Sequence, residues 1–296
     1  MKDLGRLITA MVTPFDEDGS VDYRQAKRLA LALLQSGSDG LVVVGTTGES
    51  PTLFRDEELK LFTEIKSAVG VKGTIIAGTG SNSTAEAVEA TKAAEETGVD
   101  ACLLVVPYYN KPTQDNLYWH FKAVAESTSL PCILYNVPSR TAVSLTADTV
   151  IRLSKVENII GIKEASGNLN EIARIIENTG SDFIVWSGND TDTLPILALG
   201  GYGVISVASH IVGMQIREMI NNYINGETKK AAKIHRHLMP LINILFIIAN
   251  PMPVKYALNH IGFKVGRPRP PLFEPDESVA SLIRETLKEY NIDLVN

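Results

Sequence analysis

The sequence is poor in the residues that build metal sites and disulfides. It has two cysteines among 296 residues, Cys102 and Cys132, and each lies in an apolar, strand-like run. The cysteines lack metal-site spacing, and His235 and His237 stand two apart, so they would face different ways on a helix. We therefore predict buried, reduced cysteines that serve as packing groups, and we expect no metal site.

Long apolar runs and an excess of positive charge are also missing. The longest apolar run, residues 241–249, is too short to span a membrane and is interrupted by Asn243. The chain does not open on a basic-then-apolar signal pattern. A net charge of −6 disfavours a general affinity for nucleic acid or anionic membranes. We therefore expect a cytoplasmic globular protein that binds neither nucleic acid nor membrane.

The common cofactor and nucleophile motifs are absent. The sequence has no Walker A run, no G-x-S-x-G elbow and no H-E-x-x-H pair. Gly-Gly-Tyr-Gly at 200–203 precedes a predicted strand, where a tight turn is favoured over a phosphate nest. Gly-Thr-Gly at 78–80 precedes a helix and could bind an anion, although a plain turn is the simpler interpretation. No organic cofactor is expected.

Strand-like and helix-like segments alternate steadily along most of the chain. Apolar, β-branched runs predict strands, and 3.6-residue patterns predict helices between them. Strands are predicted at 7–12, 41–44, 74–77, 101–106, 132–136, 159–163, 183–187 and 204–206. Helices are predicted at 23–35, 56–69, 84–97, 114–127, 146–154, 169–178 and 192–199, with another after His210.

Helix-capping residues support several of these bounds. Asp22 and Ser83 can cap helix N-termini, and Glu86 would complete a capping box with Ser83. Glycines follow three predicted helices, at Gly37, Gly70 and Gly98.

Eight strand–helix units over roughly 225 residues favour an α/β fold, a closed (β/α)8 TIM barrel. A doubly wound open sheet is the alternative, but it commonly has fewer strands and a glycine-rich dinucleotide turn, which is missing after Val12. From Glu227 the pattern is helical, near 228–248, 254–261 and 277–290, with proline-rich joints. We predict a catalytic barrel over 1–226 and a C-terminal helical extension over 227–296, packed on the barrel or on a partner subunit.

Lys163 stands where a buried strand should hold apolar residues. It lies at the C-terminal end of the sixth predicted strand, where ligand sites of parallel α/β folds gather. Burial would lower its pKa and leave an amine able to attack a carbonyl and form an imine. The alternative is a lysine whose stem packs while its charge reaches solvent or a carboxylate. Glu164 should face the opposite side of the strand.

Polar residues follow other predicted strands: Gly-Thr-Thr-Gly-Glu-Ser at 45–50, Pro-Tyr-Tyr-Asn at 107–110, Tyr-Asn-Val-Pro-Ser-Arg-Thr at 135–141 and Ser-Gly-Asn-Asp at 187–190. Each has a structural explanation by itself, such as a turn stabilised by its hydroxyls or a solvated Arg140. Together, a lysine, tyrosines, hydroxyls and an arginine suit carbonyl chemistry on substrates that carry carboxylates. Such a set requires neither a metal nor an organic cofactor.

In this order the motifs resemble the pyruvate-dependent class I aldolase superfamily and, within it, the dihydrodipicolinate synthases. The resemblance spans nearly the whole chain, from Thr-Pro-Phe at 13–15 to Asn-Pro-Met-Pro-Val-Lys at 250–255. Gly-Thr-Thr-Gly-Glu and the imine lysine mark the superfamily. The motif at 135–141 is more specific, since sibling lyases for sialic acid or keto-deoxy sugar acids lack its arginine pattern.

The resemblance implies a synthase that condenses pyruvate with L-aspartate 4-semialdehyde in lysine and diaminopimelate biosynthesis. Lys163 would attack the pyruvate ketone, and Tyr135 would shuttle protons and anchor the intermediate. Thr46 and Tyr109 would complete a proton relay with Tyr135.

Further residues are implied as substrate contacts. Thr47 and the backbone of Ile205 would hold pyruvate, and Arg140 would bind the carboxylate of the semialdehyde. The family is usually a homotetramer of two tight dimers, in which the equivalent of Tyr109 reaches into the neighbour's site. Another pyruvate aldolase and a non-catalytic sensor with the same pocket are the alternatives.

Lysine-sensitive members bind lysine at the dimer interface. The matching positions are Ser50, Pro51, Arg55, Glu58, Asn82, Glu86 and Tyr108. Arg55 and Glu58 stand where some sensitive bacterial enzymes have histidines, and their spacing predicts an ion pair that would fill or recharge the cleft. We therefore expect weak or no sensitivity to lysine. If both side chains point into solvent instead, the cleft stays usable.

Overall fold

The computed structural model describes residues 3–295. Within that range, eight strands pair in chain order and close into a barrel. They are β1 (Leu7–Ala10), β2 (Gly40–Val43), β3 (Thr74–Gly78), β4 (Ala101–Val105), β5 (Cys132–Asn136), β6 (Ile159–Glu164), β7 (Ile184–Ser187) and β8 (Gly203–Ser206). The predicted (β/α)8 fold is confirmed, and the predicted barrel strands end within two residues of the observed bounds.

Helices alternate with the strands and continue beyond β8. They are α1 (Tyr23–Gln35), α2 (Arg55–Val69), α3 (Thr84–Glu95), α4 (Gln114–Ala125), α5 (Pro138–Thr141), α6 (Ala147–Leu153), α7 (Leu169–Asn178), α8 (Thr193–Ala198), α9 (Ser209–Ile224), α10 (Thr228–Ile244), α11 (Met252–His260) and α12 (Glu277–Leu287). No helix in the described part of the chain is both long and apolar enough to cross a membrane.

The strands are buried on both faces, which explains their continuous apolar runs. Every residue of β1, β2, β5, β6 and β8 is buried. Because alternate side chains of a strand point to opposite faces, burial of all of them requires cover on both sides. Polar side chains inside such strands, Lys163 and Glu164 above all, are therefore exceptional.

The predicted N-caps of α1 and α3 form, but the predicted capping box does not. The Asp22 carboxylate accepts from the Gln25 N–H at 2.8 Å, and the Ser83 hydroxyl accepts from the Glu86 N–H at 3.4 Å. The Glu86 carboxylate accepts from the Ser81 hydroxyl at 2.8 Å, and the Ser83 N–H donates to that same hydroxyl. The prediction was wrong because the Ser81 hydroxyl stands between the two groups that the box would join.

The chain comprises two compact units. One consists of Met1–Ile75 and Ser206–Asn296, and the other is Ile76–Ile205. The first unit carries the hydroxyl-rich stretch at 45–50 together with helices α9 to α12. The second carries strands β4 to β7 and the residues that follow them.

Candidate active site

Lys163 and Tyr135 lie side by side at the C-terminal ends of β6 and β5. The two residues are register partners in the parallel pair. The Lys163 Nζ atom lies 4.4 Å from the centre of the Tyr135 ring. Both side chains are buried, and Lys163 keeps only 5% of its exposure. The lysine is therefore a buried strand residue, as its place in the sequence predicted.

Burial lowers the pKa of Lys163 to about 8. Loss of solvation is the largest cause, the Asp190 carboxylate opposes it, and the positive charge of Arg140 adds to the lowering. With this pKa, about one tenth of the amine is neutral at pH 7 and about half at pH 8. The side chain can thus act as a nucleophile under mild conditions.

Gly188, directly after β7, makes room for the lysine stem. A Cβ atom at this position would lie 3.1 Å from the Cγ of Lys163 and 2.7 Å from the Cβ of Ala165. A larger residue would therefore displace the chain near the amine. The sequence predicted no role for the glycine of the Ser-Gly-Asn-Asp stretch. The space around the Lys163 side chain depends on the neighbouring strand, which the local sequence does not show.

Glu164 faces away from Lys163, as strand alternation predicted. Its buried carboxylate accepts from Asn136 Nδ2 at 3.0 and 3.2 Å and from the Ser166 N–H at 2.7 Å. Burial raises the pKa of Glu164, although these hydrogen bonds act in the other direction. Asn136 Oδ1 in turn accepts from the Leu145 N–H at 2.9 Å. Through Asn136, the Glu164 carboxylate on β6 is linked to Leu145, which follows the segment that carries Arg140. The sequence did not predict this link.

Arg140 lies on α5, a four-residue helix directly after β5. The helix is closed by the Thr141 hydroxyl, whose oxygen lies 3.1 Å from the Val137 carbonyl and 2.7 Å from the Val143 carbonyl, the nearer acceptor for its single hydrogen. Arg140 is an exposed residue, so a carboxylate arriving from solvent can reach it. The helix was not predicted because four residues are too few to show a helical period.

Tyr109 follows β4 and is 89% exposed in the single chain. Its φ of 76° lies in the left-handed region, which is uncommon for residues other than glycine. Two amide contacts hold the surrounding turn: Asn82 Nδ2 donates to the Tyr108 carbonyl at 3.1 Å, and Asn110 Nδ2 donates to the Asn82 carbonyl at 2.8 Å. The phenol therefore projects outward from a turn that is fixed by hydrogen bonds.

Residues 45–50, which we call the hydroxyl loop, follow β2. Thr46 is half-buried and Thr47 is buried. The flanking Val44 and the loop residue Glu49 have φ values of 60° and 61°. A left-handed backbone is costly for a β-branched residue such as Val44, so surrounding contacts must hold it. The loop is also held at Gly48, whose carbonyl accepts from the Thr13 hydroxyl at 2.6 Å.

Residues near α11 supply further contacts to the hydroxyl loop. Asn250 Nδ2 donates to Thr47 Oγ1 at 2.8 Å. The fully buried Lys255 forms an ion pair of 2.8 Å with Glu49, whose second oxygen accepts from the Arg269 N–H at 2.8 Å. The local sequence at 250–255 predicts none of these contacts. Partners more than 200 positions apart leave no local pattern that could reveal the contact.

The predicted site residues are distributed over the two units. Thr46 and Thr47 belong to the first unit, whereas Ile205 ends the second and is fully buried in β8. Within the second unit, the structure brings Lys163 next to Tyr135 and within the electrostatic range of Arg140.

The cysteines are buried and not in disulfides, as predicted. Burial raises the pKa of Cys102 to about 12, so its thiolate is not available at neutral pH. Across residues 3–295, no cluster of three or more His, Cys, Asp or Glu side chains could hold a metal ion.

Comparison with known sequences identifies close relatives. A family model described as the Dihydrodipicolinate synthetase family matches residues 3–290. The 4-hydroxy-tetrahydrodipicolinate synthase of Dehalococcoides mccartyi is 67% identical over 294 residues, which cover 99% of this chain and 99% of the relative. The protein of that name from Moorella thermoacetica is 50% identical over 286 residues, covering 95% of this chain and 98% of the relative.

Solved structures give the same result. A dihydrodipicolinate synthase from Bacillus anthracis superposes with a TM-score of 0.96 at 46% identity, covering 98% of this chain and 100% of that one. The enzyme from Cyanidioschyzon merolae, solved with lysine bound, gives a TM-score of 0.95 at 48% identity, covering 97% and 98% of the two chains.

Proposed function

Because the chain belongs to the dihydrodipicolinate synthetase family, we propose that Lys163 forms the covalent intermediate of its reaction. The enzyme is a lyase that condenses pyruvate with L-aspartate 4-semialdehyde to 4-hydroxy-tetrahydrodipicolinate, in lysine and diaminopimelate biosynthesis. The observation that carries the proposal is a buried amine with a pKa of about 8, placed against the Tyr135 ring. A surface lysine would be almost wholly protonated at neutral pH and could not attack a ketone.

The proposed sequence begins with attack of the neutral Lys163 amine on the ketone carbon of pyruvate. Proton transfers through Tyr135 let the ketone oxygen leave as water and produce the imine. Loss of a proton from the methyl carbon gives an enamine, which forms a carbon–carbon bond with the aldehyde. The amine of the semialdehyde then attacks the imine carbon and displaces Lys163, which closes the ring and frees the enzyme.

Substrate binding is assigned to three groups. Thr47 and the backbone of Ile205 hold the carboxylate end of pyruvate, and Arg140, an exposed residue, binds the carboxylate of the semialdehyde. The contacts of the hydroxyl loop support the role of Thr47, since a hydroxyl that binds an anion must be held in place.

Our proposals for the assembly and the domain organisation are based on the pattern of the family. We propose a cytoplasmic homotetramer of two tight dimers. The 89% exposure of Tyr109 supports a partner subunit at that position, because an exposed aromatic side chain on a turn fixed by hydrogen bonds suits an interface. We also propose a division into a catalytic barrel over 1–226 and a helical extension over 227–296.

Two measurements test the proposed chemistry. Incubation with pyruvate and borohydride should leave a reduced three-carbon adduct on Lys163, detectable by peptide mass. Turnover of pyruvate with aspartate semialdehyde should then exceed turnover with sugar-acid aldehydes. A missing adduct would indicate a non-catalytic sensor, whereas an adduct with preference for another aldehyde would indicate a sibling aldolase.

A proton relay of Tyr135, Thr46 and Tyr109 predicts matched losses in two variants. Thr46→Val keeps the side-chain shape without the hydroxyl, and Tyr109→Phe removes the phenol. Each is expected to lower kcat by about 100-fold or more, the usual size of a general acid–base contribution. Combined, the losses should be less than additive, because one broken link already disables the chain. Wild-type turnover in either single variant would rule out the relay.

Feedback by lysine is expected to be weak or absent. The predicted ion pair is present, since Arg55 lies 2.7 Å from Glu58. Burial raises the pKa of Glu58 to about 7, although Arg55 opposes this shift. A titration of activity against L-lysine should show no strong inhibition below about 1 mM, where binding would be worth more than about 4 kcal/mol.

A paired variant sharpens the lysine titration. Replacing both residues together, Arg55→His with Glu58→His, should increase inhibition if the ion pair blocks the cleft. Strong inhibition of the unmodified enzyme below about 1 mM lysine would contradict the prediction.

A further inference from the structure

Asn250 meets the hydroxyl of Thr47 with its donor atom. Asn250 Nδ2 lies 2.8 Å from Thr47 Oγ1, and the two side chains keep only 5% and 4% of their exposure. Asn250 comes just before α11, so it belongs to the C-terminal part of the chain and not to a barrel strand. Among residues 3–295, Asn250 is the hydrogen-bond partner of the Thr47 hydroxyl.

The polarity of this contact has a chemical consequence. A hydroxyl has one hydrogen to donate and two lone pairs that accept. Because Thr47 Oγ1 accepts from Asn250, its hydrogen is left for another acceptor. A carboxylate has acceptors only, so it can bind Thr47 well only if that hydrogen points at it.

We propose that Asn250 is a positioning residue that presents the Thr47 hydroxyl as a donor to the carboxylate of the 2-oxo acid substrate. The proposal rests on the assignment of Thr47 to the pyruvate carboxylate. In this proposal the C-terminal part of the chain contributes to the binding of a 2-oxo acid through the side-chain amide of Asn250.

The loop itself is held by other contacts. Lys255 pairs with Glu49 across 2.8 Å, and the Thr13 hydroxyl donates to the Gly48 carbonyl at 2.6 Å. Substitution of Asn250 should therefore change the orientation of one hydroxyl without unfolding the loop. This separation makes the effect of Asn250 measurable by itself.

Asn250→Asp reverses the polarity and Asn250→Ala removes it. The aspartate carboxylate accepts the Thr47 hydrogen and turns the lone pairs of Thr47 to the substrate. We expect KM for pyruvate to rise about 100-fold in Asn250→Asp, in line with loss of a charge-assisted hydrogen bond. In Asn250→Ala it should rise about 5-fold, since the hydroxyl can still rotate to donate. In both variants kcat at saturating pyruvate and KM for the semialdehyde should stay within about 2-fold.

Protonation should rescue Asn250→Asp. A neutral carboxyl can donate to Thr47 as the amide does, and burial favours that neutral form. The ratio of its KM for pyruvate to that of the unmodified enzyme should therefore fall as the pH is lowered from 8.5 to about 6. A defect in packing alone would leave this ratio constant.

A double-mutant cycle separates hydrogen-bond polarity from simple charge repulsion. In a Thr47→Val background, Asn250→Asp should raise KM for pyruvate by less than about 3-fold, because the hydroxyl it acts through is gone. A 100-fold rise that persists in that background would show repulsion by charge and overturn the proposal.

Two further results would overturn it. One is an Asn250→Asp variant no worse than Asn250→Ala, and the other is an Asn250→Ala variant that changes KM equally for both substrates. The second remains decisive if Asn250→Asp fails to fold. Failure of the proposed function would differ from all of these, since the unmodified enzyme would then form no borohydride-trapped pyruvate adduct.

Discussion

Replacing Lys163 by alanine or methionine is expected to abolish both turnover and borohydride trapping by pyruvate. Without the amine no imine forms, and neither Tyr135 nor Arg140 can supply a nucleophile that does the same chemistry. We expect kcat/KM to fall by at least about 1,000-fold, measured with both substrates at pH 8. A pyruvate adduct at full yield in either variant would contradict the role of Lys163.

Lys163→Met is the matched variant, because it keeps the length of the side chain and removes the charge. The pKa of Lys163 is about 8 in the fold, against a usual value of 10.5. Between these values the unfolded chain binds more protons, so the lysine destabilises the fold most below pH 8 and progressively less as the pH rises through this window. Lys163→Met should therefore unfold at the same or a higher temperature at pH 7, even though it is inactive.

The pH dependence of trapping gives an independent check on Lys163. In the unmodified enzyme the rate of adduct formation should rise about tenfold per pH unit below pH 8 and level off above it. A rate that keeps rising to pH 10 would mean that burial does not lower the pKa as described.

Breaking the buried ion pair is expected to have the second largest effect, on stability. Lys255 and Glu49 are essentially fully buried, and their charged atoms lie 2.8 Å apart. Lys255→Met leaves a carboxylate buried without its main partner, which should cost about 3–5 kcal/mol in the free energy of unfolding. Denaturant unfolding at a fixed protomer concentration measures this loss.

Two controls define the origin of that loss. Glu49→Gln combined with Lys255→Met removes both charges and should recover most of the stability, because no buried charge is left unpaired. Lys230→Met breaks an exposed ion pair with Glu227 and should cost less than about 1 kcal/mol. If Lys255→Met costs no more than Lys230→Met, the buried pair does not stabilise the hydroxyl loop.

The sequence was sufficient to favour the barrel and to single out Lys163. Parallel strands covered on both faces must be apolar throughout, so each strand shows as a continuous apolar run in the sequence. The helical periods between these runs and the glycines that end helices are local sequence patterns as well. The same rule makes a charged residue in such a strand conspicuous, which is why Lys163 stands out in the amino-acid sequence by itself. The i and i+3 spacing of Arg55 and Glu58 predicted their ion pair for the same local reason.

Contacts between distant segments were decided by the tertiary structure alone. The amide of Asn250 on Thr47, the pair of Lys255 with Glu49 and the link from Asn136 to Glu164 each join residues whose separation in sequence carries no period. A capping box was predicted wrongly because a neighbouring hydroxyl took the carboxylate. Sequence periodicity records which face of an element is buried, whereas hydrogen-bond partners depend on where the folded backbone brings each polar atom.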